Sequence, residues 1–346
     1  MKAVTFSEYG GTEVLQLGDV TRPVPGPGEI LIRVEAAEAC KSDCEQRAFE
    51  FPVQWFTLPL RLALGVRRPR NHALGMYYSG VIEQLGEDVT HWNVGDEVFG
   101  GTGLRRGAYG EFLVTKARGA VALKPKSMTH AEAAAVPLGG LTALDAIDRA
   151  DVVEGDRVLI NGAGGVIGAH AVQIAVARGA TVTGVDKGIK ERFVRSLGAS
   201  DFVDYTTTDL SDHAGRSEPY NVVFDMVPSS DRSTITELLA PDGCWALGNP
   251  RLSRMLMAPF VSLITNKRMI ISFASESRRA LSELAAMVDD GRIAPIVDRV
   301  LPMDQVADAH RLVETEERIG AIVLAIGVDA ETPPLEEAGL SPEEAP

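Results

Sequence analysis

The alternation of apolar and polar positions is sharpest over residues 158–186, which read VLINGAGGVIGAHAVQIAVARGATVTGVD. Val158, Leu159 and Ile160 form a short continuous apolar run, the pattern of a parallel strand covered on both faces. Gly162, Gly164, Gly165 and Gly168 break the run. A mostly apolar stretch of helical length follows, and then a second strand over residues 181–185 that ends at Asp186. The predicted order is therefore strand, glycine turn, helix, strand, acid.

Away from this unit the texture divides the chain. Residues 1–125 read mostly as β, with strands expected at 14–17, 29–34 and 79–85. Turn signals such as Pro23, Pro25, Gly26, Pro27 and Gly28 separate them. From residue 126 helical stretches at 130–136 and 141–150 lead into alternating strands and helices up to about 265, with further strands at 221–225 and 244–247. Beyond that a strand is expected at 270–273, a helix at 277–290, further elements at 295–301 and 305–314, and a last strand at 321–326. Residues 327–346 are rich in proline and glutamate without apolar periodicity, which predicts a disordered acidic tail.

The glycine turn has a direct chemical reading. Glycines let the backbone turn tightly and approach a pyrophosphate. The helix opening at Val166 and Ile167 turns free N–H groups and a positive dipole end toward the phosphates. An acid about 20 residues past the glycines accepts hydrogen bonds from ribose hydroxyls. The alternative is a glycine-rich turn in an ordinary βαβ unit.

Composition narrows the partners. The 346 residues suffice for two domains, and 45% hydrophobic with 24% charged residues is ordinary for a globular chain. The 34 basic and 48 acidic residues give a net charge of −14, which argues against nucleic acid or an anionic membrane as the main partner and leaves a small molecule. Arg61, Arg67, Arg68 and Arg70 form a local basic run, read as a solvated face or an anion contact. Cys40, Cys44 and Cys244 are too few for a disulfide framework. The opening residues lack the apolar core of a signal peptide, and no apolar run reaches the ~18 residues of a spanning helix. A cytoplasmic location is the resulting expectation.

The succession of motifs resembles the medium-chain dehydrogenase/reductase superfamily over residues 1–326. It comprises MKAV at the start, GEILIRVEAA at 28–37, LGMYYSGVIEQLG at 74–86, VGDEVFG at 94–100, GAYGEFLV at 107–114 and AAAVPLGGLTAL at 133–144. The resemblance implies an α/β fold: a GroES-like β-rich catalytic domain (1–125, completed by 266–326) and a Rossmann doubly wound parallel sheet (126–265). It also implies a substrate cleft at their junction and a homodimer.

Within that superfamily the zinc enzymes carry a motif that Cys40-Lys41-Ser42-Asp43 resembles. Their Gly-His-Glu triplet is matched here by Gly75-Met76-Tyr77, and their third ligand falls at 137–140, where no ligand stands. Four closely spaced cysteines of a structural zinc lobe are also missing from 100–111. A catalytic zinc needs three protein ligands, so no metal site is expected, with an improvised Cys40, Cys44 and His72 set as the alternative. The chain then looks most like the quinone-oxidoreductase branch, whose Asn-x-x-Asp-x-x-x-Arg is matched here at Asp43 and Arg47 but not at Cys40.

That resemblance implies hydride transfer from NAD(P)H to a quinone, enone or related conjugated carbonyl. Such acceptors spread the developing charge and need weaker assistance than a simple ketone. Ser42 stands where zinc relatives have a proton-relay hydroxyl, with local turn capping as its other reading. Tyr77 is a candidate hydrogen-bond donor to a carbonyl, or a strand packing residue. Asp43 is expected to organise the cleft, paired with Arg47. Lys41 aligns with a diphosphate contact in some relatives, with a solvated lysine as its other reading, and Thr142 and Asp225 complete the cofactor set with Gly162, Gly164, Gly165, Val166, Ile167, Gly168 and Asp186. Asp186 favours NADH over NADPH, while Lys187, Lys190 and Tyr205 offer a place for a phosphate. A zinc alcohol dehydrogenase with displaced ligands and a non-catalytic NAD(P)H-binding sensor or scaffold are the competing functions. The stretch at 49–71 is expected to wall the cleft, with Trp55, Phe56 and Leu58 as apolar lining.

Overall fold

The computed structural model describes residues 1–51, 57–227, 230–248, 266–272, 276–316 and 318–327. In chain order the elements begin with β1 (Lys2–Thr5), β2 (Gln16–Asp19), β3 (Glu29–Ala39), α1 (Lys41–Ala48), α2 (Thr57–Leu64), β4 (Tyr77–Leu85), β5 (Glu97–Gly101), β6 (Phe112–Lys116), β7 (Val121–Leu123) and α3 (His130–Arg149). There follow β8 (Arg157–Asn161), α4 (Val166–Ala177), β9 (Thr181–Asp186), α5 (Glu191–Ser196), β10 (Asp201–Asp204), α6 (Leu210–Ala214), β11 (Tyr220–Asp225), α7 (Arg232–Leu238), β12 (Leu239–Leu247) and β13 (Arg268–Ile271). The last are α8 (Arg278–Asp289), β14 (Val297–Pro302), α9 (Val306–Thr315) and β15 (Ala321–Ala325). The expected tail at 327–346 lies outside the described residues except for Gly327, as do Trp55, Phe56 and the side chain of Leu58.

The chain divides into two compact units, one of residues 1–137, 276–289 and 295–346, the other of 138–275 and 290–294. In the first, a seven-stranded sheet runs β14-β15-β3-β4-β5-β7, with β6 paired to β3. β3 is its spine. One face of apolar side chains would suffice for an edge strand, but β3 is buried at nearly every position from Ile30 to Ala39, because it is flanked on both sides. β15 pairs antiparallel with β3, Ile322 opposite Ala39 and Leu324 opposite Ala37, so the C-terminal segment completes the first unit. α9 offers Val306, Ala309, His310 and Val313 to the core at helical spacing.

The second unit is a parallel sheet ordered β10-β9-β8-β11-β12-β13. Numbered within the unit this is 3-2-1-4-5-6, the doubly wound Rossmann order. The order reverses between β8 and β11, the position at which doubly wound sheets place their ligand crevice.

Two expectations change. The helices foreseen at 130–136 and 141–150 are one helix, α3, which runs through Pro137. Proline removes one backbone donor, but buried Ala133, Ala134, Ala135, Leu141 and Leu144 hold both halves to their cores. Its start is fixed by a capping box: Thr129 N–H donates to Glu132 Oε2 (2.7 Å) and Glu132 N–H to Thr129 Oγ1 (3.2 Å). The units accordingly divide at Pro137, within this helix, rather than at residue 125.

Candidate functional site

The glycine loop sits between β8 and α4 with two glycines under hard constraint. Gly162 has φ +92°, a left-handed conformation that costs other residues free energy. Gly168 lies in the first turn of α4, where a Cβ would fall 2.1 Å from the Gly162 carbonyl oxygen. The helix therefore meets the loop closely, at a distance only glycine allows. The first hydrogen bond into α4 is from Ala169 N–H to the Gly165 carbonyl (2.8 Å). The N–H groups of Val166, Ile167 and Gly168 precede it and have no intrahelical acceptor. Such a cradle of free N–H groups at a helix start suits a phosphate.

The carboxylate of Asp186 closes the far side of that cradle. Its Oδ2 accepts from Gly164 N–H (2.7 Å) and its Oδ1 from Lys187 N–H (2.8 Å). Buried Lys190 places Nζ 3.9 Å from Asp186 Oδ1 and donates to the Gly164 carbonyl (3.4 Å). Tyr205 is half exposed just past β10, and its N–H donates to the Asp186 carbonyl (3.3 Å). The candidate ribose acid, the ammonium and the glycine loop are thus one assembly.

The remaining cofactor candidates have mainly internal partners. Asp225 ends β11 fully buried; its Oδ1 accepts from Asn161 Nδ2 (3.0 Å), Val227 N–H (3.0 Å) and Ser230 Oγ (2.8 Å), and its Oδ2 from Trp245 Nε1 (3.3 Å). It ties the ends of β8 and β11 together at the point where the sheet order reverses. Thr142 donates its hydroxyl to the Leu138 carbonyl (2.9 Å), one turn back in α3. Lys41 is exposed and paired with Glu316, both in the first unit.

In the first unit, the turn from β3 into α1 buries Asp43 completely. Its Oδ1 accepts from Arg106 (2.9 Å) and Gly75 N–H (3.1 Å), and its Oδ2 from Tyr109 Oη (3.1 Å) and Cys40 Sγ (3.1 Å). The expected Asp43–Arg47 pairing is corrected here: the partner is Arg106. Arg47 lies on the same helix four residues on, but its guanidinium turns to the Gly10 carbonyl (3.2 Å), His310 Nδ1 (3.2 Å) and Glu314. Asp43 therefore fixes the Gly75 backbone, two residues before Tyr77.

Tyr77 is 3% exposed, and its hydroxyl donates to Glu276 Oε1 (3.3 Å). Burial pushes the phenol well above its usual range, and the neighbouring Glu276 carboxyl adds to that. Burial also raises the Glu276 carboxyl, against the Tyr77 hydrogen bond and the Arg106 charge. Ser42 is half-buried in the first turn of α1, and its hydroxyl does not cap that helix, whose N-cap is Cys40 without a side-chain bond. Glu38 is fully buried with neither carboxylate oxygen hydrogen-bonded among the described residues, and desolvation drives its carboxyl far up.

The alternative metal set of Cys40, Cys44 and His72 is not assembled as a ligand group among the described residues. The buried Cys40 thiol donates to Asp43 and is held protonated, chiefly by burial. Cys44 Sγ rests against the His310 carbonyl (3.8 Å), its thiol pushed up to about 12 by burial, and His72 is exposed. Among the described residues no three or more His, Cys, Asp or Glu side chains are grouped as metal ligands. No helix among them is long and apolar enough to cross a membrane.

The sequence singled out the glycine loop, Asp186, Asp43 and Tyr77, whose surroundings are those described above. It missed Arg106, Tyr109 and Glu276, which reach their partners from 63, 66 and 199 residues away. The GAYG motif around Tyr109 was the available signal for one of them.

Comparison with known proteins places this geometry. Residues 26–126 match the alcohol dehydrogenase GroES-like domain, and residues 197–324 match the zinc-binding dehydrogenase model. Human mitochondrial NAD(P)H oxidoreductase RTN4IP1 (Homo sapiens) is 28% identical, over 94% of this chain and 89% of that protein. The chloroplastic NADPH-dependent alkenal/one oxidoreductase of Arabidopsis thaliana is 27% identical over 94% of this chain and 79% of its own length. The solved quinone oxidoreductase from Coxiella burnetii superposes with a TM-score of 0.83 at 26% identity, covering 94% of this chain and 99% of that one.

Proposed function

The chain belongs to the medium-chain dehydrogenase/reductase superfamily as an NAD(P)-dependent oxidoreductase of the quinone-oxidoreductase-like branch, and from that premise we propose a zinc-independent reductase of quinones, enones or related conjugated carbonyls. The observation that carries the proposal is the donor set around Asp43 and Tyr77. It offers a buried phenol and a buried thiol but no assembled metal ligands among the described residues.

When bound, the nicotinamide cofactor supplies the hydride. The chain's own part is to hold the dinucleotide and to polarise and protonate the acceptor. Gly162 and Gly168 shape the loop, and the N–H groups at the start of α4 take the diphosphate. Asp186 takes the adenosine ribose by exchanging its Gly164 bond for ribose hydroxyls. A carboxylate there repels a 2′-phosphate, so NADH is the proposed preferred cofactor. Lys190, already beside Asp186, offsets part of that repulsion and leaves NADPH a slower alternative.

In the first unit Asp43 holds the Gly75 backbone and with it the start of β4. Tyr77 is the proposed donor to the acceptor oxygen. Ser42, with a hydroxyl free of the helix cap, is the second donor. A phenol suffices where conjugation spreads the developing charge, whereas a simple alkoxide calls for a metal or a stronger electrophile. The experiment is NADH and NADPH oxidation with a small quinone and a small enone as acceptors. Turnover of either, faster with NADH, supports the reading; binding of NADH without turnover of both overturns it.

A further inference from the structure

We propose that Tyr77 and Glu276 form one proton-delivering pair, in which Tyr77 gives its proton to the hydride acceptor and Glu276 positions and reprotonates it; this rests on the reductase reading above.

The two side chains come from separate segments of the first unit, β4 and the second residue before α8, and meet at 3.3 Å. Gly101, opposite Tyr77 across the β4–β5 ladder, makes room for both. A Cβ at Gly101 would stand 3.3 Å from the Tyr77 ring and 3.4 Å from Glu276 Oε2.

A phenol has one proton to donate. With Glu276 ionised, that proton is directed at the carboxylate and is lost to an acceptor. With Glu276 protonated, the carboxylic acid donates to the phenol oxygen and frees the Tyr77 proton. The charged and titratable groups acting on the pair are Cys40 and Glu38 toward Tyr77, and Arg106 toward Glu276. Burial raises both members of the pair, which keeps the phenol a donor rather than a base and carries the carboxyl toward its acid form.

The step balances. The acceptor gains a hydride at carbon, the pair of its C=C bond shifts to form a double bond to the carbonyl carbon, and the C=O π pair moves onto the oxygen. The Tyr77 O–H bond breaks as an O–H bond forms on that oxygen. The Tyr77 oxygen takes the Glu276 proton, and the Glu276 carboxylate recovers one from water. The cofactor is oxidised, the acceptor is reduced, and no other reactant is needed.

The test compares the full-length wild type, Glu276→Gln and Tyr77→Phe, with NADH and either 1,4-naphthoquinone or trans-2-hexenal. Wild-type kcat falls as pH rises through a single ionisation. Glu276→Gln keeps an N–H donor toward the phenol but can neither ionise nor return a proton to it, so kcat falls below the wild-type low-pH value and the profile flattens. Tyr77→Phe lowers kcat about 100-fold, the ordinary worth of a positioned general acid, with NADH affinity unchanged. A second readout needs no turnover: the infrared difference between cofactor-free wild type and Glu276→Gln shows one protonated carboxyl band that disappears over the same pH range. A wild-type pH profile in Glu276→Gln, an undiminished kcat in Tyr77→Phe, or the lack of that band overturns the pair alone. A wild type that binds NADH but reduces neither acceptor overturns the reductase reading, and the pair's role with it.

Discussion

Asp43 and Arg106 form a buried ion pair at 2.9 Å, with side chains 0% and 8% exposed. The same carboxylate takes three further hydrogen bonds, from Gly75, Tyr109 and Cys40. Removing its charge leaves the guanidinium without its hydrogen-bonded counter-charge, with the Glu276 carboxyl as the other acid acting on it. Asp43→Asn should lose about 3–5 kcal/mol of stability, the usual result of breaking a buried pair from one side. Urea unfolding at pH 7 measures it, and a loss below about 1 kcal/mol would show that water reaches Arg106 freely.

Gly168→Ala places a Cβ 2.1 Å from the Gly162 carbonyl oxygen and 2.8 Å from the Ala163 Cα. Both obstacles are backbone, so the loop must shift. The expected outcome is about 1–3 kcal/mol of destabilisation from overpacking, together with a larger fall in NADH affinity. Fluorescence titration with NADH, set beside a thermal melt, separates the two effects. An affinity that survives at full strength would mean that the loop does not hold the diphosphate.

Asp186→Ser removes the charge that disfavours a 2′-phosphate and leaves Lys190 without its nearby carboxylate. NADH should lose about 10–100-fold in kcat/KM, in keeping with about 1.5–3 kcal/mol for hydrogen bonds to a charged group, while NADPH gains. The ratio of the two kcat/KM values is the measurement. An unchanged ratio would assign Asp186 to loop structure alone.

His310 is buried between Arg47 and the Tyr109 ring, and burial pulls its imidazole down from 6.5 to about 4, with the Asp43 charge acting against this and Arg47 with it. The unfolded chain therefore binds a proton near pH 6.5 that the folded chain binds only near pH 4. Stability is full above pH 6.5 and falls as pH drops toward 4, by up to on the order of 3 kcal/mol from this group. His130, also pulled down to about 4 mainly by burial, adds to the slope, discounted for its partial exposure. Raised buried carboxyls such as Glu38 and Glu276 act in the opposite direction, so the histidine contribution is read by difference: the gap in melting temperature between wild type and His310→Gln should shift in favour of the variant as pH falls from about 7 to about 4.5. A gap that stays constant over that window would contradict the buried neutral imidazole.

The dinucleotide unit was legible in the sequence because its information is local. β8, the glycine loop, α4, β9 and Asp186 follow each other without interruption, and each local pattern agrees with its neighbour. The return of β15 to β3 was legible only through family resemblance, since no local pattern records which strands pair. The polar cluster was half legible for the same reason. Asp43 stands beside Cys40 in one motif, but Arg106, Tyr109 and Glu276 reach it or Tyr77 across the fold. Arg47, four residues along α1 from Asp43, was the obvious partner by spacing. It faces α9 instead, where His310 and Glu314 take its guanidinium. Pro137 misled in the opposite direction: it reads as a helix break, yet burial on both sides carries α3 through it.

The most direct test of the central claim is oxidation of NADH by a small quinone before and after exhaustive chelation, with the metal content of the same sample measured. The account predicts turnover that survives chelation in protein free of stoichiometric zinc. Turnover abolished by chelation and restored by zinc would contradict it and return the chain to the metal-dependent alcohol dehydrogenases.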